Sequence, residues 1–217
     1  MADSNSLTER MDAEFAAFQQ KTEQFQVAAK AEYEAREARF HDMFVPAAKR
    51  LADLVRPRLQ LLADRFKDRV KVKPVIAEHT REVELTFDSP LARIALTFGL
   101  AHDSEVKNLL LQQDLKILPI LMQFEDRSTL SMPLDKIDDA AVAQWFDDRI
   151  VYFIQTMAAM YRNQHYLKDH LVTDPIAGVQ MPKYAAKATL ELRGTTHYFI
   201  SEETKREFES QSTKAKQ

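Results

Sequence analysis

The run Asn163-Gln164-His165-Tyr166-Leu167-Lys168-Asp169-His170 holds the residue types best suited to a metal ion. His165 and Asp169 are four apart and can share a helix face, and imidazole with carboxylate suits zinc or iron. His170 is five from His165 and points elsewhere while the helix lasts; His197 could join from farther along the chain. No HExxH or similarly tight spacing accompanies them, so a helix end and a linker are the plainer reading. The pairs Asp138-Asp139 and Asp147-Asp148 make poor acid/base dyads, because adjacent helical residues face different ways. Asp138 reads instead as an N-cap. So does Ser201, with Glu202 and Glu203 behind it and no base placed by any motif.

Absences narrow the chemistry further. The 217 residues include no cysteine, which excludes disulfides, thiolate metal sites and a cysteine nucleophile. Glycine occurs only at Gly99, Gly178 and Gly194, so neither a phosphate-cradling GxGxxG or GxxxxGK loop nor a GxSxG elbow can form. No cofactor is expected. A net charge of -3 gives no general attraction to nucleic acid or to an anionic membrane. A local basic cluster (Lys49, Arg50, Arg56, Arg58, Arg65, Lys67, Arg69, Lys71 and Lys73) reads as one helix, diluted by Asp53, Asp64 and Asp68. It lacks interleaved aromatics, so a solvated face comes first, an acidic protein surface second, and nucleic acid is not expected. The densest apolar run, IVYFIQTMAAMY, falls short of the ~18 residues a membrane helix needs. With no signal-like N-terminus, a cytoplasmic protein is expected.

From Asp174 the chain reads DPIAGVQM, a polar link, then LELRGTTHYFISEETKREF. This stretch resembles the YHS domain, a small module written DPVCGM, a glycine turn, YYFCS, two residues, C and a closing Phe. Asp174, Pro175, Gly178, Met181, Gly194, Tyr198, Phe199, Ser201 and Phe208 fall on that pattern. The family's cysteine places hold Ala177, Ile200 and Thr204. The resemblance implies a compact ββα-like unit with Tyr198 and Phe199 on opposite sides of a strand. It also implies that Ala177 and Ile200 pack among apolar neighbours. Thiolates would imply copper or zinc traffic; without them the implied role is a small interaction module.

The elements that must position these residues follow from periodicity. Residues 7 to about 41 have a strong helix-forming composition, with Phe15, Phe18, Thr22, Phe25 and Ala29 spaced as a short coiled-coil seam. The seam degrades at Glu32 and Arg36. Phe15, Phe18, Phe25, Tyr33 and Phe40 are too many large aromatics for an isolated polar helix, so this segment is expected to join a second copy, a dimer being favoured. Pro46 suggests a new helix bearing Leu51, Val55, Leu59, Leu62, Phe66 and Val70, with a kink or split at Pro57. Period-two runs from Glu82, Ile94, Asn108, Lys116 and Ser128 predict antiparallel strands, with Gly99 as a bulge. A final apolar stripe from Val142 through Tyr161, continuing to about Tyr166, predicts the helix that covers the sheet.

The expected fold class is α+β: a long N-terminal helix, a four- or five-stranded antiparallel sheet covered by helices, and a small C-terminal module. The expected division is 1–45 for association, 46–171 for the core, 172–209 for the YHS-like module and 210–217 as a disordered tail. The functional reading is a non-enzymatic binding or assembly protein that holds an unidentified protein partner. Its alternatives are metal handling through His165, Asp169, His170 and His197, and an enzyme with a pocket between sheet and helix.

Overall fold

The computed structural model describes residues 4–77 and 79–214. Helix α1 (Ser4–Arg39), a π turn (Phe40–Phe44) and helix α2 (Val45–Phe66) run on as one rod. The fresh start suggested by Pro46 and the break suggested by Pro57 are both absent. Pro46 lies in the first turn of α2, directly after the π turn, where Val45 N–H bonds Phe40 O. The wider π register relieves the ring before it can clash with a carbonyl of the preceding turn. Pro57 and Asp53, whose carbonyl loses its donor, are both exposed, so water can satisfy the orphan group.

Five strands follow in a simple meander: β1 (Val70–Ile76), β2 (Arg81–Phe87), β3 (Arg93–His102), β4 (Asn108–Leu118) and β5 (Arg127–Pro133). Their register stacks Leu85, Leu96 and Leu115 in one row and Phe87, Ile94 and Ile117 in the next, all buried. The strands depart from the sequence expectation in three places. Lys71 and Lys73 belong to β1, not to a basic helix, which ends at Phe66. The strand expected over 116–124 is the end of β4, stopped at Leu118 because Pro119 has no N–H for the ladder. Gly99 is no bulge, since it pairs with Glu82 and Gln112 in an unbroken register.

Helix α3 (Asp139–Met160) begins at Asp138, whose carboxylate accepts from Ala140 N and Ala141 N at 2.9 and 3.1 Å. It lies over the sheet through rings: Phe153 stands 4.6 Å from Phe87, and Phe146 stands 5.0 Å from Phe98. The basic face of α2 pins α3, with Arg50 3.1 Å from Asp139 and Arg58 2.9 Å from Asp147. These pairs give part of the basic cluster a structural partner. One-turn helix α4 (Gln164–Leu167) supplies Tyr166, whose hydroxyl donates to Pro119 O at 2.7 Å and accepts from Leu121 N at 3.0 Å.

The C-terminal module contains the expected ββα arrangement, a hairpin packed on the final helix, and a second short hairpin precedes it. Strand β6 (Leu171–Thr173) pairs with β7 (Gln180–Pro182), β8 (Ala188–Leu192) pairs with β9 (Thr195–Phe199), and α5 (Glu202–Lys214) packs on the second hairpin. Gly178 and Gly194 turn the chain at φ 66° and 77°, a region that favours glycine. Helix α5 reaches Lys214, so residues 210–214 are helical where a disordered tail is expected from sequence. The architecture is α+β, and among the described residues no helix is long and apolar enough to cross a membrane.

Candidate functional site

Helix α1 stands clear of the core over most of its length. Residues 7–34 are exposed throughout, and Phe15, Phe18 and Phe25 are 62, 68 and 73% exposed. Leu7, Met11, Val27 and Tyr33 add to the bare apolar surface. Phe40 departs from the sequence expectation: it is 6% exposed and belongs to the core, not to the interaction face. The 3.6-residue helical period carries it close to the face of Phe15, but the rod meets its own domain at the π turn. There Phe40 and Phe44 pack around His102, at ring distances of 5.6 and 4.7 Å.

The same junction gathers residues that sequence reasoning missed. His102 Nδ1 lies 2.7 Å from Asp103 O, and its Nε2 lies 3.2 Å from His79 Nδ1. A carbonyl can only accept, so Nδ1 of His102 carries the hydrogen and its Nε2 accepts from His79 in the neutral pair. Arg39 clamps the base of α1, donating to Glu105 O at 2.8 Å and pairing with Glu32 at 2.8 Å. No local motif announces this contact, because the two histidines meet only when β2 and β3 pair.

A groove of about 600 Å³ opens between α2 and the edge strand β1. Leu51, Val55 and Leu59 form one wall, Val72, Pro74 and Ile76 the other, and Phe98 and Phe146 lie at its base. The register puts Val72 and Pro74 on the same sheet face as buried Leu85, yet both are exposed because α2 does not cover β1. The size and apolar lining are those of a small-molecule site. Its polar lining comprises Lys49, Arg56, Gln60, Arg81 and Glu82.

In the C-terminal module the hydrogen bonds gather on Asp174, which is fully buried. Its Oδ1 accepts from Ile176 N at 2.8 Å and Ala177 N at 3.0 Å; its Oδ2 accepts from Ile200 N and from Thr204 Oγ1, each at 2.8 Å. Burial by itself would raise the carboxyl pKa. The bonds from Ala177, Ile200, Ile176 and Thr204 outweigh it and pull the group from 3.8 to about 2. Ala177, Ile200 and Thr204 thus all converge on one carboxylate. Ala177 and Ile200 are exposed, however, so the expected apolar packing of those two is corrected. Of the other module positions Phe199 is buried, Tyr198, Ser201 and Phe208 are half-buried, and Pro175, Gly178 and Gly194 lie at the surface.

The histidine set does not come together. His165 and Asp169 are exposed, the His197 ring packs tilted against Phe208 at 4.7 Å, and among the described residues no group of three or more potential ligands could hold a metal. No family model, no curated protein and no solved structure matches this chain.

Proposed function

We propose that this chain is a non-enzymatic binding or assembly protein that works as a homodimer joined through α1. The observation that carries the reading is the bare stripe of Phe15, Phe18 and Phe25 on a helix their own domain does not cover. Covering one such side chain stabilises by roughly 1.5–3 kcal/mol, and two copies bring three each. That total exceeds the ~8 kcal/mol of a micromolar complex before ordering costs, which is the range an assembly contact needs. The sheet and the C-terminal module then form the platform at the base of the helix. The convergence of Ala177, Ile200 and Thr204 on Asp174 supports reading that module as a cysteine-less YHS-like unit. A unit without thiols suits docking better than metal transfer. Sedimentation of the full chain across micromolar concentrations tests the proposal: a monomer–dimer equilibrium is expected, and a monomer throughout overturns it.

The groove beside β1 favours a second reading, in which the platform holds an apolar ligand. Lys49 at its rim would meet an acidic head group.

A further inference from the structure

We infer that the two α1 helices pair antiparallel, in the register that sets Phe15 of one copy against Phe18 of the other; this rests on the homodimer reading above. On a heptad, Phe15, Thr22 and Ala29 occupy one seam column and Met11, Phe18 and Phe25 the other. An antiparallel partner presents each column with the opposite one. Phe15 then meets Phe18, Met11 meets Thr22, and Thr8 meets Phe25, so the seam closes on itself under two-fold symmetry.

Charge selects this register. Glu14 flanks Phe15 and faces Lys21 of the second copy, and symmetry repeats the pair. Lys21 has no acid three or four residues away on its own helix, where Ala17, Phe18, Gln24 and Phe25 stand. Sliding the pair by one heptad sets Lys21 against Lys21. A parallel pair leaves Glu14 facing Gln19 and Lys21 facing Gln26, and it stacks Glu32 on Glu32 and Arg36 on Arg36. In the antiparallel register neither Glu32 nor Arg36 faces its own counterpart. Glu32 is in any case held 2.8 Å from Arg39 of its own chain. The two cores then sit at opposite ends of the pair.

The absence of native cysteine allows a clean test in the full chain. Nitroxide labels on Gln24→Cys and, separately, on Ala31→Cys lie on one exposed helix face. Pulsed electron resonance should read offsets along the axis of about 22 Å and about 43 Å respectively, from a rise of 1.5 Å per residue. Equal short distances at both sites mark a parallel pair and overturn the register while keeping the dimer. Samples that scatter as monomers and give no distance overturn the dimer itself. In addition, Lys21→Glu should weaken association about tenfold, as two symmetric pairs turn repulsive, and Glu14→Lys with Lys21→Glu should restore it. Weakening without rescue overturns the proposed pairing.

Discussion

Thr204 donates its hydroxyl hydrogen to Asp174 at 2.8 Å, joining the first turn of α5 to the loop between β6 and β7. The same carboxylate holds Ile200 N at the end of β9, so one buried charge ties the three parts of the module together. Its pKa, drawn from 3.8 to about 2, makes the tie a stability term. A depressed carboxyl stabilises the fold in full above the unfolded value near 4, and the contribution fades as pH falls through about 2. The shift corresponds to roughly 2–3 kcal/mol. Asp174→Asn should lose about that much at neutral pH, and its deficit relative to wild type should shrink on acidification. A deficit that is constant with pH in urea unfolding would contradict the assignment.

The core makes a simpler demand. Phe153 is fully buried between Phe87 and Phe66, at 4.6 and 6.2 Å. Phe153→Ala should cost about 3–5 kcal/mol in chemical denaturation. A loss below ~1 kcal/mol would mean that α3 does not rest on the sheet as described.

Gln113 offers the opposite sign. It is 2% exposed on the core face of β4, level with Phe98, and neither side-chain polar atom has a hydrogen-bond partner within the protein. Gln113→Leu removes an unsatisfied amide at nearly constant volume and should raise stability by about 1–3 kcal/mol. Destabilisation would show that the amide is satisfied in solution.

How much of this was legible in the residues depends on how local each cause is. Helix α3 was readable because a cap at Asp138 and an apolar stripe lie in one segment. Strands β2 and β3 were readable from strict alternation. Strand β1 was hidden because Lys71 and Lys73 extend a basic run that begins on α2. Phe40 keeps the helical rhythm of Phe15 and Phe18, and only the packed junction shows that it has entered the core. The convergence on Asp174 joins residues 26 and 30 positions away, and no spacing rule reports such a contact. The groove exists because α2 does not cover β1, and that depends on how the helix lies across the sheet.

That groove can be interrogated with the chain's one tryptophan. Trp145 stands 5.1 Å from Phe146, a lining residue. A long-chain fatty acid should change its emission saturably, and Ile76→Glu, at a residue already 74% exposed, should abolish the change. An unaltered spectrum would leave the groove without a ligand of this class.

The most direct test of the account is the mass of the full-length protein by light scattering at micromolar concentration, beside Phe18→Glu/Phe25→Glu. Both side chains are exposed within their own chain, so the variant should keep its fold by circular dichroism. The account predicts the mass of two chains for the wild type and of one for the variant. A wild type that already scatters as a single chain, or a variant that remains dimeric, would contradict it.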